Sequence, residues 1–216
     1  MAEALRVAVD LVVFTIRDGA LHALFIRRAI QPFKGEWALP GGFVDDETLE
    51  AAARRELEEE TGLRDVYLEQ LCTFGDPGRD PRGRIISVAY FALIRPEPVR
   101  GATDAAEARW FPAARPPRLA FDHAAILETG RRRIRAKLGY TTLGSQLLPE
   151  QFTLTQLQAL YETLLERPLD KRNFRRRLLS LGLVQAVKGR RTAGAHRPAQ
   201  LYAFRAPVQV LDEVIL

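Results

Sequence analysis

The sequence predicts an α/β protein in two parts: a strand-and-helix unit over residues 1–145 and a winged helix-turn-helix over residues 146–216. Three observations point there. Apolar runs rich in Val, Leu, Ile and Phe alternate with amphipathic helical stretches through the first part. One stretch, residues 41–63, gathers the carboxylates Asp45, Asp46, Glu47, Glu56, Glu59 and Glu60, the last three on a helix. The third observation is charge. Residues 1–149 carry 21 basic and 21 acidic side chains and residues 150–216 carry 11 and 6, so the whole net charge of +5 lies in the last third. A basic unit set apart in this way points to a polyanionic partner.

Residues 5–16 and 21–27 read as strands joined at Asp18-Gly19, a type I′ turn signal between two apolar runs. Pro32 and Gly35 mark residues 29–36 as a loop. Residues 37–39 form a short strand leading to Gly41 and Gly42, where the missing Cβ permits close approach to a ligand. A helix follows over about residues 48–61, with Asp46 or Thr48 as its N-cap and Gly62 as a left-handed stop. Residues 66–74 and 84–94 are strands. The Gly/Pro loop between them, GDPGRDPRGR, carries Arg79, Arg82 and Arg84 and either folds over a phosphorylated ligand or is mobile. Residues 106–111 read as a final strand, 112–117 as a proline-rich turn and 121–138 as an amphipathic helix. Residues 139–151 contain Gly, Ser and Pro without periodicity, and the boundary between the two parts falls there.

Glu56, Glu59 and Glu60 stand at i, i+3 and i+4, on one face within a single helical turn. Like charges that close repel unless a cation fills the gap, and a hard divalent cation with oxygen ligands suits it. Arg55 lies beside them, and its forked guanidinium suits holding a carboxylate in place. The wider spacing is specific: Gly41, five residues, Glu47, seven residues, then Arg55-Glu56-Leu57-x-Glu59-Glu60-x-Gly62-Leu63. This resembles, without a departure, the signature of the Nudix hydrolases. The resemblance implies an α/β/α sandwich on a mixed sheet and metal-assisted attack on a diphosphate linked to a nucleoside. It implies Mg²⁺ (or Mn²⁺) held by Glu56, Glu59 and Glu60, with Glu56, Glu59 and Arg55 in catalytic roles and the base supplied by Glu56 or a loop carboxylate. The ligand is expected at Arg27, Gly41, Gly42, Arg79, Arg82 and Arg84.

In the basic third, Thr153 is placed to cap a helix whose Leu154, Leu157, Leu160, Tyr161, Leu164 and Leu165 form an apolar stripe. Arg167-Pro168 ends it, and Asp170 caps a second helix over residues 171–181. Phe174, Leu178 and Leu181 face inward there, while Lys171, Arg172, Arg175 and Arg176 lie outward, with Asn173 among them. Residues 183–187 and 201–204 then read as strands joined by a basic wing carrying Lys188, Arg190, Arg191, His196 and Arg197. A winged helix-turn-helix offers its second helix to a major groove and its wing to phosphates or a minor groove. Together with WALPGGFV, RGRIISVAYFAL, FDHAAIL and RPLDKRNFRRRLLSLGLV…AHRPAQLY, the chain resembles the Nudix-related transcriptional regulators of bacterial NAD metabolism. That resemblance implies a homodimer that binds operator DNA and, in its first part, ADP-ribose or a related nucleotide.

The remaining composition narrows the alternatives. Cys72 is the single cysteine and sits in an apolar run, which excludes an intrachain disulfide and suits a cytoplasmic location. No run reaches the roughly 18 apolar residues of a membrane helix, and the N-terminal apolar stretch carries Asp10 and reads as a strand. Two functions are therefore expected to compete or coexist: a DNA-binding repressor that responds to ADP-ribose, and an ADP-ribose pyrophosphatase, yielding AMP and ribose 5-phosphate, whose C-terminal part serves dimerisation.

Overall fold

The computed structural model describes residues 5–95, 107–191 and 199–215. The chain divides into two compact units, Met1–Thr15 with Leu21–Arg132, and Ile16–Ala20 with Arg133–Leu216.

The first unit is built on a mixed sheet. Strands β1 (Arg6–Arg17), β2 (Ala20–Arg27), β3 (Trp37–Ala38), β5 (Tyr67–Phe74) and β6 (Ile85–Leu93) lie in the order β3-β2-β1-β6-β5. β4 (Gly41–Phe43) pairs with β1, and β7 (Ala108–Pro112) with β2. β1 runs parallel to β6 and antiparallel to β4, so both orientations meet on one strand. The turn between β1 and β2 has positive φ at both central residues, 49° at Asp18 and 72° at Gly19, as a type I′ turn requires.

Successive side chains of β1 point to opposite faces, and both faces are covered. Val9, Leu11 and Val13 share a core with Ala52, Ala53 and Leu57 of α1 (Leu49–Thr61). On the other face Phe14 and Val12 meet α2 (His123–Lys137) so closely that a Cβ at Gly130 would stand 3.2 Å from the Phe14 ring. This is the helix–sheet–helix arrangement expected. It also explains why β1 reads as an almost unbroken apolar run, with Asp10 as the exception.

Thr48 is the N-cap of α1, its Oγ1 accepting the Ala51 N–H at 3.1 Å, and Gly62 ends it at φ 71° with its N–H donated to the Glu58 carbonyl. Two details differ from expectation. Gly41–Phe43 forms a strand beside β1, although glycine disfavours strands, because Gly41 and Gly42 allow it to approach Val9 and Asp10. The second helix begins at His123 instead of residue 121, since Phe121 takes a positive φ of 54° and cannot be part of it.

In the second unit a 3₁₀ turn (Leu143–Leu147) forms within the stretch that lacks sequence periodicity. It buries Leu143 and Leu147 and brings Gly144 against Leu160 and Tyr161. β8 (Phe152–Thr153), β10 (Gln200–Phe204) and β9 (Val184–Arg191) form a three-stranded sheet in the order β8-β10-β9. Between β8 and β9 lie α3 (Leu154–Leu165) and α4 (Lys171–Ser180), packed through Tyr161 and Phe174, whose rings are 5.0 Å apart. Thr153 closes a capping box with Gln156, and Asp170 accepts the Asn173 N–H at 2.7 Å. β9 extends to Arg191, four residues beyond its expected end. Among the described residues no helix is long and apolar enough to cross a membrane.

Candidate functional site

The carboxylates of α1 do not act alike. Residues three and four along a helix lie to either side of the first, about 60° one way and 40° the other. Glu60 thus turns towards the sheet, where its Oε2 accepts the Gly41 N–H at 2.7 Å. Glu59 turns towards solvent, its side chain 59% exposed against 12% for Glu56. Arg55 gathers the rest: it donates to Glu47 at 2.6 and 3.0 Å, to Glu56 at 2.7 Å, to Glu59 at 3.3 Å and to the Phe43 carbonyl at 3.2 Å. Burial raises the Glu56 pKa, opposed by Arg55 and reinforced by Glu59 and Glu47. Burial pushes Glu60 up to about 8, against the Gly41 hydrogen bond and with help from the charges on Glu56 and Asp10.

Among the described residues no three His, Cys, Asp or Glu side chains converge as a ready metal site. The donor chemistry nevertheless fits a divalent cation. Glu56 and Glu60 are half-buried carboxyls whose pKa burial raises; Glu59 and Glu47 raise Glu56 further and Glu56 raises Glu60, which is the mark of a place short of positive charge. Glu59 is adjacent but engaged with Arg55.

Beside Glu60 opens a cavity of about 360 Å³. Its walls come from β1 (Ala8, Asp10), the end of β2 and the residues after it (Ile26, Arg27, Arg28), β4, the loop with Arg79, Asp80 and Arg82, and Phe121 with His123. Of the six residues expected at a ligand, Arg27, Gly41, Gly42, Arg79 and Arg82 line this cavity. Arg84 does not; its guanidinium donates to the Gly75 carbonyl. The loop arginines are already engaged. Arg79, only 4% exposed, forms a two-pronged pair with Asp122 at 2.6 and 2.8 Å and reaches Asp10 at 3.3 Å. Arg82 is held by Asp80, at 2.7 to 3.2 Å. Arg27 spends donors on the Gly35 carbonyl and Glu107.

Sequence reasoning missed two parts of this site. The first is a buried polar network around Asp10. Its carboxylate accepts from the Ser87 hydroxyl and from Arg79, and lies 3.3 Å from His123 Nε2. His123 Nδ1 accepts the Leu39 N–H at 2.9 Å, so the ring proton belongs on Nε2 and points at Asp10. Burial alone would raise the Asp10 carboxyl; His123, Ser87 and Arg79 outweigh it and hold it at about 2. A lone acid in an apolar strand was the available signal. The second is Arg28, whose Nε donates to the Pro32 carbonyl at 2.7 Å while its buried NH2 has no hydrogen-bond partner among the described residues.

In the second unit the outer face of α4 carries Lys171, Arg172, Asn173 and Arg176, all exposed, while Phe174 and Leu178 are buried. Arg176 donates to Asn173 Oδ1 at 2.8 Å. Arg175 is half-buried, bonded to Thr155 at 2.8 Å. Lys188 is exposed on β9, which also contains Arg190 and Arg191; His196 and Arg197 lie outside the described residues.

These features define a Nudix-type sandwich with a cation-lined cavity, joined to a winged helix with a basic recognition face. Comparison with known proteins agrees. The NUDIX domain model matches residues 4–130, and the NrtR DNA-binding winged helix domain model matches residues 144–204. The chain is 42% identical over 202 residues to the ADPR responsive transcriptional repressor NtrR of Acinetobacter baylyi, an alignment covering 91% of this chain and 80% of that one. Shewanella oneidensis NrtR complexed with a 27mer DNA superposes with a TM-score of 0.85 at 35% identity, over 96% of this chain and 98% of that chain. The NUDIX domain of the same protein complexed with ADP ribose superposes with a TM-score of 0.56 at 39% identity, over 61% of this chain and 89% of that chain. The chain belongs to the Nudix family, in the branch of NrtR regulators that carry a C-terminal winged helix.

Proposed function

We propose that the protein is a transcriptional repressor of NAD-metabolism genes that binds operator DNA as a homodimer and releases it when ADP-ribose enters the cavity of the first unit. The basic outer face of α4 carries this reading. Lys171, Arg172 and Arg176 stand exposed on a helix fixed from within by Phe174 and Leu178 and capped by Asp170. A helix so held presents its cations at constant spacing, which suits backbone phosphates and a major groove. The relatives complexed with DNA and with ADP ribose support both halves of the reading. The test is a gel-shift with DNA upstream of the gene and its neighbours, with and without ADP-ribose. A sequence-specific complex that ADP-ribose dissolves is expected; no specific complex at moderate salt would sink the proposal.

A second activity is favoured by the complete carboxylate set. Glu56, Glu59 and Glu60 would hold a divalent cation, which would offset charge on the diphosphate of ADP-ribose and help activate water. Arg55, bonded to both Glu56 and Glu59, would position them. Gly41 and Gly42 let β4 approach the same helix end, through the Gly41 N–H on Glu60 and the Glu56 carboxyl against Gly42. Release of AMP from ADP-ribose and Mg²⁺, abolished in Glu59→Gln/Glu60→Gln, is the expected result. Release unchanged in that variant would remove these residues from the reaction.

A further inference from the structure

The arginines that sequence reasoning placed at the ligand are largely spent on partners within the chain. Arg79 is bound to Asp122 and Asp10, Arg82 to Asp80, and Arg84 lies away from the cavity. Arg28 differs. Its Nε donates to the Pro32 carbonyl at 2.7 Å, which fixes the direction of the guanidinium. Its plane centre stands 4.7 Å from the centroid of the Phe121 ring, and both residues line the cavity. Its NH2 is buried and has no partner among the described residues. A buried cationic donor left unmatched is costly unless an anion meets it.

We propose that Arg28 is the anchor for a phosphate of the bound ligand, and that it binds the diphosphate without needing a divalent cation. This rests on the reading of ADP-ribose as ligand and deepens it. The forked donor is held by Pro32 and backed by Phe121, so it loses little freedom when an oxyanion arrives. Arg82, close to the same Phe121 ring at 5.4 Å, adds to the positive field but keeps its hydrogen bonds to Asp80. Glu60, on the acidic side of the cavity, attracts the Arg28 charge but takes its hydrogen bond from Gly41, so it would serve the cation while Arg28 serves the anion. A protein built so can sense the nucleotide whether or not it is cut.

The test is calorimetric titration of the full chain with ADP-ribose, and separately with inorganic pyrophosphate, in EDTA at two ionic strengths. The wild type is expected to bind both. Arg28→Ala is expected to weaken both about ten- to a hundredfold, the worth of a charge-assisted hydrogen bond, and to flatten the salt dependence. Arg28→Gln keeps a donor for the Pro32 carbonyl and removes the charge, so it is read the same way if the alanine variant fails to fold. Binding within threefold of wild type, or weaker binding with an unchanged salt dependence, would overturn the assignment, since loss of a merely structural contact leaves the ionic term intact. Wild-type binding of pyrophosphate, dependent on Arg28, without binding of ADP-ribose would uphold the anchor and remove ADP-ribose as its ligand. Wild-type binding of neither would overturn both.

Discussion

A methyl group added at Gly42 would stand 2.1 Å from Oε1 of Glu56, and one added at Gly41 would stand 2.2 Å from the Val9 carbonyl. The first obstacle is the end of a flexible side chain, the second is backbone in a paired strand, and Gly41 also has φ at 153°. Gly42→Ala should therefore leave stability within about 1 kcal/mol while displacing Glu56, whereas Gly41→Ala should cost about 2 kcal/mol or more. Urea unfolding of the two variants checks this; equal losses would contradict the geometry. Asp10 makes a different prediction. Its pKa falls from an ordinary 3.8 to about 2 in the fold, so the unfolded chain takes up its proton first as pH drops. Its contribution, on the order of 2 kcal/mol, is complete above pH 4 and is lost as pH falls towards 2. Wild type should lose stability through that window more steeply than Asp10→Asn. Parallel curves for the two would show that the network does not hold the carboxylate ionised.

Among the elements, those that local chemistry decides were legible. The Asp18-Gly19 turn, the caps Thr48, Gly62, Thr153 and Asp170, and the inward face of α4 all depend on residues within a few positions of one another. Thr153→Ala, which opens the capping box on α3, should cost about 1 kcal/mol in denaturant unfolding; no change would mean that packing of Tyr161 and Leu157 holds the helix end unaided. The carboxylate cluster was legible for another reason, that its residues fall within one turn of a single helix; that Glu60 turns to Gly41 and Glu59 to Arg55 and solvent was not. What the sequence hid is non-local. Asp10, Ser87 and His123 come from β1, β6 and α2, separated by 77 residues in the first pair, and each alone is an ordinary polar residue. Arg28 is hidden more deeply. Its neighbour Arg27 looks equivalent in sequence, and only the path of the chain to Pro32 separates an arginine that has found its partners from one with a buried donor left over. Of the loop arginines, Arg79 and Arg82 reach the cavity and Arg84 does not, but the aspartates that engage the first two, Asp122 and Asp80, carry no sequence signal of that duty.

For the molecule as a whole, charge and stoichiometry are linked. The excess positive charge of +5 is confined to the last third, so each chain brings one cationic unit to DNA. Each phosphate neutralised releases counterions and adds about 0.9 to the slope of log affinity against log salt. A substitution that removes one phosphate contact therefore flattens that slope by about one in a monomer, and by about two in a homodimer, where both copies lose it. Arg172 is the residue to use: it is exposed on α4, and a change there disturbs neither the Asp170 cap nor the buried Phe174. Operator binding measured between about 50 and 200 mM salt, with light scattering at the same protein concentration, gives both quantities at once. A slope reduced by about two with the mass of a dimer is expected for Arg172→Ala. A reduction near one would mean that a single winged helix engages each operator, and with it the symmetric dimer would fall. An unchanged slope would place Arg172 away from the phosphates, leaving the specific contacts of α4 to Lys171, Asn173 and Arg176.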